Sequence, residues 1–91
     1  MKTAIIGGIH YEVVFAPIDG DKDVSDIDLC TNKITVEESL PKNQQHAAIL
    51  HEAIHAMNWK KSEREVEFEA QAWYAFIRNN RDFIRKIINE P

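Results

Sequence analysis

Ala48-Ile49-Leu50-His51-Glu52-Ala53-Ile54-His55-Ala56-Met57 is the stretch on which the reading of this 91-residue chain turns. Ala47, Leu50, Ile54 and Met57 recur at spacings of three and four, the mark of a helix that buries one apolar stripe. A serine and a proline at Ser39 to Pro41 are start signals for that helix, which the pattern carries to about Trp59. Inside it lies H-E-x-x-H. Residues four apart on a helix are neighbours, so His51 and His55 present two imidazoles from adjacent turns to one point, as a tetrahedral zinc site requires. Glu52 follows the first histidine and points beside that metal, close enough to hold and deprotonate a metal-bound water. A structural zinc site would fill all four positions with protein ligands, whereas a catalytic one keeps a position for water.

A third protein ligand has to come from elsewhere. The extended pattern H-E-x-x-H-x-x-G-x-x-H is excluded, because Asn58 and Lys61 stand where Gly and His are needed. Ser62 and Glu65 have capping-box spacing and open a second helix with Val66, Ala70, Trp73, Phe76 and Ile77 on one stripe. Asn79-Asn80 interrupts it before a last amphipathic turn or two with Phe83, Ile84, Ile87 and Ile88. The candidate acids are Glu63, Glu65, Glu67 and Glu69. At about 100° per residue Glu69 lies about 40° from the centre of the apolar stripe, and Glu65 about 80°. Glu63 and Glu67 fall on its other side, where a solvated face is the simpler account. A carboxylate turned toward a core is costly unless paired or metal-bound, so Glu69 is the first choice; its alternative is a buried pair with Arg78 or a lysine.

Working toward the amino terminus, the apolar period changes from about 3.6 to 2 near residue 40. Tyr11, Val13 and Phe15 alternate along a strand from His10 to Ala16, and Ile5-Ile6 before Gly7-Gly8 forms a hairpin with it. A second hairpin joins Ile27 and Leu29 to Ile34 and Val36 through Thr31-Asn32. The acidic loop Asp19 to Asp26 between them lacks the glycine and the final glutamate of a calcium loop, with Val24 and Cys30 in those places.

Composition sets the outer limits. Ninety-one residues make a single domain spanning 1–91, and a net charge of −4 argues against nucleic acid as partner. One cysteine, Cys30, allows no internal disulfide, which points to the cytoplasm and leaves packing, a metal or a partner as the source of stability. The run Ala4-Ile5-Ile6 is too short for a signal-peptide core, and nothing approaches a membrane span. His10 and His46 read as strand and helix residues, with a transition-state donor or a fourth metal contact as the alternative.

The chain resembles the small phage and mobile-element metallopeptidases allied to the ImmA/IrrE family. Matching features are Ile6-Gly7-Gly8 with Tyr11-Glu12-Val13, Ile27-Asp28 through Ile34-Thr35-Val36, Ser39-Leu40-Pro41, the stretch Leu50 to Ala56, Ala70-Gln71-Ala72-Trp73-Tyr74 and Arg78-Asn79-Asn80. The resemblance implies a short sheet, a zinc helix and a second helix with a metal-binding glutamate, and a phage-encoded protein acting in the host cytosol. In the larger relatives the third ligand stands where Glu69-Ala70-Gln71 stands here. The short relatives carry a Glu at the place of Glu67, which makes Glu67 the reserve.

The expectation is therefore an α+β domain: a small antiparallel sheet of two hairpins packed on the H-E-x-x-H helix, with a second, antiparallel helix closing the site. One zinc ion held by His51, His55 and Glu69, with Glu52 as general base, would make it a gluzincin-like metalloendopeptidase acting on a peptide or protein. The Ile34 to Val36 strand is the expected edge for strand addition by that peptide. The alternative function is an interaction module that keeps the metal for stability and has no protease activity.

Overall fold

In a computed structural model, residues 2–18 and 24–89 are described; most of the acidic loop, residues 19–23, lies outside them. Four strands and three helices follow in order: β1 (Lys2–Ile6), β2 (Ile9–Ala16), β3 (Ser25–Asp28), β4 (Lys33–Glu37), α1 (Lys42–Met57), α2 (Glu63–Asn79) and α3 (Arg81–Asn89). The result is an α+β fold with a mixed sheet.

Gly7 and Gly8 both hold positive φ, 58° and 79°, the backbone that a two-residue turn needs to match the twist of its strands. The β1–β2 hairpin they close is antiparallel, with Ile6 opposite Ile9 and Lys2 opposite Val13. The second hairpin also forms, but β3 ends at Asp28, and Leu29 belongs to the turn with its side chain exposed. Asp28 explains the early ending. Its Oδ1 accepts from the backbone N–H groups of Thr31 and Cys30, at 3.2 and 2.9 Å, and these bonds, Thr31's first, hold its carboxyl below the usual carboxylate range. Asn32 takes the left-handed conformation that completes the turn.

The sheet is not wholly antiparallel as the two hairpins suggested. Its order is β1-β2-β4-β3, and β2 and β4 run parallel, with Val13 opposite Ile34 and Phe15 opposite Val36. Burial is the reason. Ile34 and Val36 are fully buried, so β4 belongs in the interior of the sheet, and the chain leaving β2 must cross to the far side before turning back. Glu37 ties this crossing together: its two carboxylate oxygens accept from the N–H groups of Ile18 and Ser39, which lower its pKa in that order. The expected edge strand, Ile34 to Val36, is thus an interior strand. The edges are β1 and β3.

Helix α1 starts directly after Pro41, which takes the cap position and has no side-chain acceptor to offer, while Ser39 lies outside the helix. It is packed on two sides. Ala48 joins Tyr11, Val13, Ile34 and Val36 in the sheet-side core, with Ile49 and Ala56 against the same cluster. Ile54, with Leu50 beside it, meets Val66 and Ala70 of α2. Met57 was expected on the buried stripe but is 65% exposed at the helix end. The capping box is present at α2: the Glu65 N–H donates to Ser62 Oγ, and the Ser62 N–H to Glu65 Oε1. Only Val66 and Ala70 of its stripe are buried; Trp73 and Phe76 remain exposed. Asn80 separates α2 from α3, as its position in the sequence implied.

These burial assignments predict contrasting variants. Ile34→Ala should cost about 2–5 kcal/mol in urea unfolding, whereas Met57→Ala should stay within about 0.5 kcal/mol.

Candidate metal centre

The α1–α2 contacts run His55 to Glu63, His51 to Glu67 and His46 to Tyr74, so the two helices form an antiparallel hairpin. Its connection is only residues 58–62, closed by Asn58 and the Ser62 cap. That short turn forces the first turn of α2 beside the last turns of α1. His51 and His55 stand with ring centroids 4.8 Å apart, as their spacing requires.

Their nitrogens converge on one carboxylate. Glu63 Oε1 lies 2.5 Å from His51 Nε2, and Glu63 Oε2 lies 2.9 Å from His55 Nε2. On the other side of the first ring, His51 Nδ1 is 2.8 Å from Glu67 Oε2, and Gln71 Nε2 donates to the second oxygen of Glu67. His51 therefore has a carboxylate at each nitrogen. With no cation present it satisfies both only when both nitrogens carry protons; with Nδ1–H donating to Glu67, a cation at Nε2 meets the same demand.

Glu52 completes the group and is the most buried carboxylate in it, with 4% of its surface exposed. Ligand atoms of His51, Glu52 and His55 all lie within 4.8 Å of one another. Ser25 Oγ on β3 donates to Glu52 Oε2 at 2.5 Å. Burial pushes the Glu52 pKa up, against the opposing pull of the Ser25 hydroxyl and of His51 and His55. The donor set of two imidazoles and one carboxylate beside a buried glutamate fits a borderline-soft divalent ion such as zinc. Glu63 is 73% exposed, so the cluster opens to solvent on its side.

Glu69 is not part of this cluster. Its carboxylate pairs with Lys61 Nζ on the other side of the hairpin, the lysine pair that was the alternative account of its position. Glu67 does reach the histidines, but through Nδ1 of His51, where it orients the ring while Glu63 faces both Nε2 atoms. In the sequence Glu69 is favoured by its place in the larger relatives and by its closeness to the apolar stripe. Glu63, Glu67, Gln71 and Tyr74, at steps of four, four and three, form a polar stripe beside it and line one cleft with His51 and Glu52. Ser25 had no signal in the sequence, because only the far crossing of β3 brings it to α1. His10 lies on β2 opposite Ile5 and His46 packs against Tyr74, so neither joins the two histidines.

Comparison with protein-family profiles, with curated proteins and with solved structures finds no match. No helix among the described residues is long and apolar enough to cross a membrane.

The raised pKa of Glu52 gives a signed prediction for the metal-free protein. The folded form binds this proton more tightly than the unfolded chain, so stability falls as pH rises from the ordinary value of 4.5 through the raised one. Glu52→Gln should therefore unfold at higher temperature than the wild type at pH 8 in chelator, and the gap should shrink as the pH is lowered toward 4.5. A gap that is constant with pH would show that burial does not perturb this carboxyl.

Proposed function

We propose that the chain is a zinc-dependent hydrolase of peptide bonds, with His51, His55 and Glu63 as the metal-binding residues and Glu52 as general base. One observation carries this reading: two imidazole nitrogens and a carboxylate converge beside a buried glutamate at a site open to solvent on one side. Zinc held there supplies a Lewis acid that polarises a carbonyl and makes water acidic near neutral pH. Glu52 accepts the proton from water and delivers it to the leaving amine, and its raised pKa suits a group that must hold that proton for part of the cycle. Ser25 fixes one Glu52 oxygen and leaves the other for this work. Glu67 fixes the His51 ring, in the manner of the carboxylate partners of metal-bound histidines.

Substrate would lie against β3, not β4. This edge strand bonds on one side only, to β4, and its first residue, Ser25, already touches Glu52, so an extended peptide added to it would pass the site. The resemblance to the ImmA/IrrE-allied metallopeptidases belongs to the same proposal, as does action in the cytoplasm.

A second reading is favoured by the size of the core. Among the described residues the largest fully buried side chains are only Ile34, Val36 and Val66, a small core, so a metal that only stabilises an interaction module would also answer a need of this fold.

The variants separate these readings and the candidate ligands. Wild type should bind one zinc ion per chain in a competition titration, and His51→Ala and Glu63→Ala should each lose it. Glu69→Gln should bind as wild type, and Glu67→Gln about 10–100-fold more weakly. Glu52→Gln should keep the ion and lose peptide hydrolysis by about 10²–10⁴-fold. Full zinc occupancy with a chelator-sensitive Tm and no turnover on peptide libraries would instead favour the interaction module.

A further inference from the structure

Two depressions meet at the histidine–glutamate cluster, both lined by Ser25, His51, Glu52 and Glu63, and their remaining walls differ in chemistry. One, of about 520 Å³, runs toward the amino-terminal end of α1, where Asn43 and Gln44 face Gln71 and Tyr74 of α2. The other, of about 290 Å³, runs toward the carboxy-terminal end of α1 between Ile27, Leu29 and Trp59. They leave the site in opposite directions along the helix.

Among the described residues no side chain fills the apolar arm. Trp59 is 72% exposed and Leu29 55% exposed, although both flank a polar site, and the Lys60 ammonium stands over the Trp59 ring, 5.7 Å from its centroid. Large apolar side chains left in water at the rim of a cleft are the pattern of a binding surface. The walls of the other arm away from the cluster are uncharged: the carboxamides of Asn43, Gln44 and Gln71 and the Tyr74 phenol offer donors and acceptors, beside the apolar side chains of Leu40 and Ala47. Glu67 lines this arm beside His51, and Asp26 lines the apolar arm. An anionic side chain entering either arm would meet one of these carboxylates, neither of which is a proposed metal ligand.

Resting on the hydrolase reading, we infer that this cleft selects its substrate by an asymmetric pair of side chains. A large apolar residue, aromatic or branched aliphatic, lies on one side of the cleaved bond against Trp59 and Leu29. A neutral hydrogen-bonding residue lies on the other side, between the carboxamides of Asn43 and Gln71, and acidic residues are excluded from both places. Strand geometry permits it. A peptide extended along β3 presents a side chain to the same face at every second residue, about 6.8 Å apart, so successive side chains on that face can occupy the two arms.

Two parallel measurements on the zinc-loaded full chain test the inference. Glu52→Gln protein is used to select from a random peptide library displayed on phage, and wild type is given a synthetic peptide library with cleavage sites read by mass spectrometry. Both should enrich Phe, Leu, Met or Trp at one fixed position and deplete Asp and Glu around it. Trp59→Ala should lower affinity and kcat/KM for the enriched peptide by about 10–100-fold, with zinc stoichiometry unchanged. Leu29→Ser should act in the same direction, and Gln71→Ala should relax only the opposite side of the bond. Cleavage without an apolar residue at a fixed position would overturn the inference and leave the hydrolase reading intact, as would an enriched peptide indifferent to both Trp59→Ala and Leu29→Ser. Apolar selection by Glu52→Gln protein with no cleavage by wild type would support the recognised ligand class and overturn hydrolysis. Failure to select any peptide in either measurement would overturn the inference.

Discussion

Helix α1 is held on two sides at once, and everything at the site depends on what that leaves. Taking about 100° per residue, Leu50 and Ile54 face α2, while Ala48, Ile49 and Ala56 face the sheet-side core. His51 and His55 fall in the arc between these two contacts, and Glu52 falls inside the sheet-facing arc, between Ala48 and Ala56, where it is buried. With both flanking arcs buried, the helix cannot rotate to expose the histidines further or to sink them into a core. Packing therefore fixes the direction of the imidazoles before any ligand is considered, the preorganisation that a binding or catalytic site needs.

The gap is completed from both sides by different devices. On one, a five-residue connection and the Ser62 capping box set where α2 begins, so that its first residue, Glu63, must lie beside His55 and its fifth beside His51. On the other, the crossing from β2 to the far edge of the sheet places β3 next to α1, and Ser25 reaches Glu52. Glu37 bonds both the end of the β2 segment and the entry to α1, which links the sheet topology to the helix position.

Much of this was legible from residue order. Gly7-Gly8, the alternation of Tyr11, Val13 and Phe15, the Ser62–Glu65 box and the Asn79-Asn80 break are local signals, and each specifies structure without help from distant residues. The parallel pairing of β2 and β4 is not local: it is decided by which strand buries both Ile34 and Val36, a competition between whole topologies. The sequence of α1 shows one stripe because the contact to α2 is marked by large residues four apart, Leu50 and Ile54, whereas the contact to the sheet is made by small Ala48 and Ala56 with Ile49 as its one large residue. That Glu63 and not Glu69 faces the histidines was hidden for a related reason. Angular distance from an apolar stripe measures closeness to the core, and a side chain at the edge of a helical hairpin can reach the facing helix without being close to the core.

The cluster also bears on stability. Three carboxylates, those of Glu52, Glu63 and Glu67, stand around His51 and His55, and Glu52 is buried, so negative charge is concentrated at the cluster. Ser25 and the Lys61–Glu69 pair do not offset that charge, the first because it is neutral and the second because it lies on the other side of the hairpin. A divalent cation is the simplest compensation, and its binding is linked to folding. At a free concentration about a thousand times its Kd it would stabilise the folded form by about 4 kcal/mol, a large share of the 5–15 kcal/mol typical of whole domains. On the proposed reading the ion that activates water is thus also what a 91-residue chain without a disulfide uses to hold α2 against α1. Losing Glu63 should then loosen the helical hairpin as well as weaken the metal, whereas losing Glu69, whose carboxylate pairs with Lys61, should leave the metal in place.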